Sequence, residues 1–181
     1  MDIKNIKQVE NESDCLCDSE RLNSALTKLA NEITADLEDK NPLVLCVMTG
    51  GIIPTGHLLT RLSFPLQLDY IHATRYQGET SGGELNWIQE PSIPLQDRNI
   101  LLIDDIFDEG ITLKEIVKYC NEKNAKSVHT AVLVNKIHNR KVNFKVDYIG
   151  LDIEDRYLFG FGMDYKNYLR NVNAIHAVKG M

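Results

Sequence analysis

Apolar positions along the chain change their period several times, and each change marks an element. From Asp18, a residue suited to an N-cap, Leu22, Leu26, Leu29, Ile33 and Leu37 recur every three or four positions. That spacing lines one face of an α-helix. Asn41-Pro42 ends it. The period then vanishes: Leu43-Val-Leu-Cys-Val-Met48 is apolar throughout, as a strand covered on both faces requires. Thr49-Gly50-Gly51 follows, and Leu58, Leu59 and Leu62 resume helical spacing. Residues 66–73 alternate as a strand does, residues 74–83 are polar and glycine-rich, and Trp87 sits in a short strand returning from them. Residues 1–17 show no clear period and are expected to be irregular or to hold a short strand.

The second half repeats the pattern around one stretch. Asn99-Ile-Leu-Leu-Ile is a buried-strand run that ends in the acids Asp104 and Asp105, followed by a third acid, Asp108, then Gly110 and Thr112. Leu113, Ile116, Val117 and Cys120 then mark a helix face. Residues 127–134 form another strand-like run closing on Asn135-Lys136, where a lysine faces the crevice used by open α/β sheets. Residues 146–153 give a further strand, an aromatic group runs from Tyr157 to Tyr165, and residues 174–178 look like a closing strand.

A strand, an acidic turn, a glycine and a helix start together make a phosphate-binding arrangement. N–H groups at the helix N-terminus point at the anion, and Gly110 lets the backbone come close. The acids cannot bind phosphate; they suit hydroxyls, which donate to carboxylates, and Mg²⁺, which takes oxygen ligands. A ligand with a phosphate, a diol and a metal is a sugar phosphate. No Gly-Lys-Ser/Thr follows the loop, which excludes a Walker A site.

The 181 residues suit one domain spanning 1–181, with 43% hydrophobic and 25% charged residues, an ordinary soluble composition. A formal net charge of −6 speaks against a nucleic-acid-binding surface, so a polyanion has to be met locally, by metal, backbone amides and a few basic residues. Cys15, Cys17, Cys46 and Cys120 match no zinc or disulfide spacing; Cys46 and Cys120 are expected to be buried, Cys15 and Cys17 to be free surface thiols. The five histidines make no metal spacing, and none is given a chemical role. Residues 1–14 are polar and of mixed charge, unlike a secretory leader, and no apolar run approaches the roughly 18 residues of a membrane span. The expected compartment is the cytoplasm, with no membrane partner.

The register of acid pair, third acid, Gly and Thr resembles the phosphoribosyl-pyrophosphate signature of type I phosphoribosyltransferases. The likeness runs over roughly residues 43–178 and is to the hypoxanthine-guanine branch. It implies an α/β fold, a parallel sheet core (about residues 40–165) flanked by helices, with a small hood from the N- and C-terminal segments. It implies Mg²⁺-dependent transfer from phosphoribosyl pyrophosphate to hypoxanthine or guanine, in a homodimer or homotetramer. Gly50 and Gly51 fall in the pyrophosphate loop, with Thr49 where the family commonly has Lys. Asp104 and Asp105 would hold the ribose hydroxyls, directly or through the metal, and Asp164 would be a further metal ligand. Asp108 would be the general base at purine N7. The backbone of Asp108, Glu109, Gly110, Ile111 and Thr112, with the Thr112 hydroxyl, would cradle the 5′-phosphate, and Arg170 would meet pyrophosphate. Lys136 would donate to the purine oxygen, Tyr157 would stack on the base and Leu158 would offer its carbonyl. Residues 74–83, with Arg75 and Tyr76, correspond to a flap that excludes water from the reacting carbon. Glu109 stands where the family usually has Thr and is expected to point to solvent. Two other readings stay open: transfer to another base such as xanthine or adenine, and a non-catalytic nucleotide-sensing regulator.

Overall fold

The computed structural model describes residues 2–75 and 85–181. The elements among them are α1 (Ile3–Glu12), β1 (Asp14–Cys17), α2 (Ser19–Leu37), β2 (Leu43–Met48), α3 (Ile52–Leu59), β3 (Gln67–Arg75), β4 (Leu85–Gln89), β5 (Asn99–Phe107), α4 (Ile111–Glu122), β6 (Ser127–Ile137), β7 (Tyr148–Glu154), β8 (Leu158–Phe159) and β9 (Ile175–Ala177). Among the described residues, six strands form one sheet in the order β4-β3-β2-β5-β6-β7. Every pairing in it is parallel except β3 with β4. The fold is thus α/β, a mostly parallel sheet flanked by helices.

Alternation inside the apolar strands explains how both faces are covered, since successive side chains point to opposite sides. Val44 of β2, Leu101 and Ile103 of β5, and Ala131 and Leu133 of β6 pack with Leu22, Leu26, Leu29 and Ile33 of α2 and Leu58 of α3. Leu43 and Leu45, Ile100 and Leu102, and Val132 pack on the other side with Leu113, Ile116 and Cys120 of α4. No helix joins β6 to β7. Residues 138–147 make that crossover as irregular chain, and Phe144 and Val146 from it pack on the α4 side.

A second, three-stranded antiparallel sheet, β1-β9-β8, joins the two ends of the chain. Arg156 ties it together, donating to Asp14 Oδ2 at 2.6 Å and to the Val178 carbonyl at 3.1 Å. Residues 1–17 were expected to be irregular or a short strand, and the helix α1 is a correction. Its apolar stripe is too thin to show a period: Ile6 is its buried residue, while Ile3 is 66% exposed. Ile6 packs on Phe159, Tyr165, Leu169 and Val178. Cys17 is also buried, contrary to expectation, because β1 turns it inward against the α2 side of the core. Asp18 caps α2 as its sequence position suggests, accepting from Arg21 N–H at 2.9 Å. No helix among the described residues is long and apolar enough to cross a membrane.

Leu29 is fully enclosed, and its Cδ1 would lie 3.1 Å from a Cβ added at Gly150 of β7. Leu29→Ala should lower unfolding free energy by about 2–5 kcal/mol, read from the denaturant midpoint.

Candidate active site

The carboxyl ends of β2, β5 and β6 lie side by side, and the sequence-predicted residues gather there. β5 does not stop at its acids: Asp104 pairs with Val132, Ile106 with Val134 and Phe107 with Asn135. Asp104 and Asp105 are therefore inside the strand, and Asp105 is 8% exposed. Asp105 N–H donates to Asp104 Oδ1 at 2.9 Å. The loop after β2 presses onto this strand end, through a cis peptide between Met48 and Thr49. A Cβ at Gly50 would sit 2.0 Å from Asp105 Oδ2, and one at Gly51 would sit 2.6 Å from the carbonyls of Ile103 and Val47. Both glycines are thus set by packing.

Burial pushes the Asp104 carboxyl well above the usual carboxylate range, and the neighbouring Asp105 charge adds to this. Burial also raises Asp105, opposed by its hydrogen bond with Asp104 and by the Arg170 guanidinium. Two adjacent carboxylates, one half-buried and one buried, that resist joint ionisation favour a cation between or beside them. All-oxygen donors suit a hard divalent ion such as Mg²⁺.

Beyond β5 the chain turns through Asp108, Glu109 and Gly110 into α4. Gly110 has φ +82°, and an added Cβ would meet the Phe107 ring at 2.3 Å. It supplies no side-chain cap, so the first-turn amides of α4 keep no side-chain acceptor there. This helix end opens on a cleft of about 300 Å³ whose walls include Gly50, Asp104, Asp105, Thr112, Asp164 and Arg170. Arg170 donates to the Gly162 carbonyl and pairs with Asp164 Oδ1, each at 2.6 Å, while Asp164 Oδ2 accepts from Asn167 N–H at 2.7 Å. Glu109 is half-buried in the wall of the cleft, near the Arg140 cation, and so is not simply turned to solvent as expected.

A second cleft, of about 200 Å³, meets the first at Asp105 and Asp108 and is walled by Lys136, Tyr157 and Leu158. Tyr157 is 42% exposed and stands edge-on to Tyr165 at 5.6 Å. Leu158 is buried in β8. Lys136, 8% exposed, is held between two carboxylates, Asp108 Oδ2 at 3.2 Å and Asp155 Oδ1 at 3.1 Å. Arg140 closes the chain on Asp155 Oδ2 at 2.7 Å. Asp108 Oδ1 lies 2.6 Å from His138 Nε2. Burial works to raise the Asp108 carboxyl, but the His138 bond and then Lys136 outweigh it and hold it below its ordinary value.

His138 and Asp155 were missed in the sequence. The available signal was the period 2 of β6, which, carried one residue past Ile137, puts residues 136 and 138 on one side of the chain. Asp108, His138 and Asp155 could in principle hold a metal ion. The Lys136 ammonium already bridges the two acids, so this cluster carries its own cation. Arg75 ends β3 in its backbone; its side chain, Tyr76 and the rest of the expected flap lie outside the described residues.

Residues 14–167 match the phosphoribosyl transferase domain family. The chain belongs to that family. It is 32% identical to the hypoxanthine-guanine-xanthine phosphoribosyltransferase of Tritrichomonas foetus, over 91% of this chain and 90% of that protein. It is 30% identical to the hypoxanthine-guanine phosphoribosyltransferase of Bacillus subtilis, over 91% and 92%. Its fold is like that of a hypoxanthine phosphoribosyltransferase from Staphylococcus aureus, with a TM-score of 0.89, 24% identity and coverage of 98% and 97%.

In this phosphoribosyltransferase the turn into α4 depends on a left-handed glycine. Gly110→Ala should cost about 1–3 kcal/mol of stability, read as a lowered denaturation midpoint.

Proposed function

We propose that this protein transfers the phosphoribosyl group from phosphoribosyl pyrophosphate to hypoxanthine or guanine, giving IMP or GMP and pyrophosphate, as a Mg²⁺-dependent cytoplasmic enzyme of purine salvage. The observation that carries this reading is the meeting of two clefts at Asp105 and Asp108. One has the paired acids and helix N-terminus that a sugar phosphate needs. The other has a half-exposed aromatic ring and an ammonium, suited to a flat base with an oxo group. The names of the relatives from T. foetus and B. subtilis point the same way.

In this proposal the residues divide the work. Asp104 and Asp105 accept from the ribose hydroxyls and, with Asp164, hold the metal. Bound there, Mg²⁺ supplies neutralising charge for the pyrophosphate as it leaves. The backbone at Gly50 and Gly51, with Arg170, binds pyrophosphate. The amides from Asp108 to Thr112, through Glu109, Gly110 and Ile111, with the Thr112 hydroxyl, take the 5′-phosphate. Tyr157 stacks on the base, the Leu158 carbonyl meets its edge and Lys136 donates to its oxygen. Asp108, already ionised in the resting protein, accepts the proton from purine N7. Lys136 can turn from Asp108 to the base while keeping Asp155, which frees Asp108 Oδ2 for that proton.

The test is a direct assay of purified protein with Mg²⁺, phosphoribosyl pyrophosphate and each of hypoxanthine, guanine, xanthine and adenine. Metal-dependent formation of IMP and GMP is expected. Adenine should be poor, because its amino group and Lys136 are both donors. No turnover with any base despite tight donor binding would leave a nucleotide sensor. Asp108→Asn should lower kcat by roughly 10²- to 10⁴-fold with the donor KM little changed; unaltered turnover would remove Asp108 from the base role.

A further inference from the structure

His138 closes the end of β6, and its side chain is 4% exposed. Its Nδ1 accepts a hydrogen bond from the Arg140 backbone N–H at 3.1 Å. A backbone amide only donates, so Nδ1 carries the lone pair and the ring proton sits on Nε2. Nε2 faces Asp108 Oδ1 at 2.6 Å, so a neutral imidazole suffices to donate to the carboxylate.

We propose that His138 is a positioning residue for the proton-accepting carboxylate: fixed in its Nε2–H tautomer by the Arg140 amide, it holds Oδ1 of Asp108 and leaves Oδ2 to the base. This rests on the reading of Asp108 as general base. The two partners of Asp108 differ in what they can do. Lys136 lines the base cleft and has Asp155 as a second anchor, so it can exchange toward a ligand. His138 is enclosed and is held from behind, so it stays.

The helix-free crossover that carries His138 grips the acidic loop on both sides of Asp108. Val142 N–H donates to the Glu109 carbonyl at 2.9 Å, and the Lys141 ammonium stands 4.8 Å from the centre of the Phe107 ring. The charged groups around Asp108 are Lys136 from β6, Arg140 and Lys141 from the crossover, Asp155 beyond Lys136, and Glu109 beside it in its own loop. Removing the His138 donor leaves burial less opposed, so the Asp108 carboxyl must titrate at higher pH. A carboxylate accepts a proton only when ionised. The acid limb of the turnover profile should therefore move to higher pH as well.

The experiment follows Asp108 by carboxyl ¹³C NMR in the resting protein, assigned against Asp108→Asn, and in parallel measures kcat against pH. In His138→Ala the Asp108 midpoint and the acid limb should both rise, kcat near neutral pH should fall by up to about 100-fold, and the donor KM should hold. His138→Gln, which keeps an N–H donor near the Nε2 position, should restore both midpoints toward wild type. A purely structural role would lower stability without moving the Asp108 titration, and an unmoved titration in His138→Ala overturns the proposal. So does a His138→Gln variant as shifted as His138→Ala. The ¹⁵N shifts of His138 in the unaltered protein add a check that needs no variant: the neutral Nε2–H form supports the proposal, and an imidazolium or Nδ1–H form overturns it. A titration that moves while the turnover profile stays put upholds the contact and removes the general-base reading instead.

Discussion

The close approach at Gly50 is the constraint on which the site depends. Its backbone lies against the Asp105 carboxylate on one side, and its carbonyl lies 2.2 Å from where a Cβ at Gly162 would stand on the other. The end of β2, the end of β5 and the loop leading out of β8 therefore converge on a residue with no side chain. A methyl group at either glycine would force the large sheet and the 160–164 loop apart. Arg170 fastens the same junction by bonding the Gly162 carbonyl and Asp164. The two sheets, which already share the apolar core on the α2 side through Cys17, Leu158, Ile175 and Ala177, are thus brought within reach of one ligand.

Around that junction the carboxylates fall into two electrostatic groups. Asp104 and Asp105 are adjacent, the first half-buried and the second buried, and both titrate above the ordinary range. Asp108 and Asp155 are surrounded by Lys136, Arg140 and the His138 N–H, and both titrate below it. The first group gains by taking up positive charge or hydroxyl donors. The second is held ionised, and one of its partners, Lys136, faces a neighbouring cleft. The same side-chain type thereby serves different chemistry a few residues apart, set by what surrounds it.

What the sequence made legible follows from how local each signal was. The α2 helix, the apolar strands and the run from Asp104 to Thr112 are stretches in which the pattern and the structure share one set of neighbours. The extension of β5 through its acids was not legible, because backbone pairing with β6 decides it against the polarity of the side chains. The helix α1 escaped because a single buried isoleucine gives no period. His138 escaped for a different reason: it meets Asp108 across 30 residues of chain, through a crossover whose path no periodicity describes. The strand period would have paired it with Lys136, but a histidine beside a lysine has many ordinary explanations until the acid between them is seen.

The chain carries a net charge of −6, and among the described residues the basic side chains lining the two clefts are Lys136 and Arg170. Lys136 and Arg170 each arrive already paired with an aspartate, Asp108 at 3.2 Å and Asp164 at 2.6 Å. Under the proposed reaction an anion can gain these cations only by exchange, displacing a carboxylate that then becomes a ligand or a base in its own right. When Arg170 turns to a phosphate it releases Asp164 beside the Asp104–Asp105 pair, and when Lys136 turns to the purine oxygen it releases Asp108. Under that reaction, ion-pair exchange of this kind would couple binding to readiness: the carboxylates proposed for metal and proton would be freed by the arrival of the groups they serve. It also explains how the cleft can be lined with acids and still suit a polyanion.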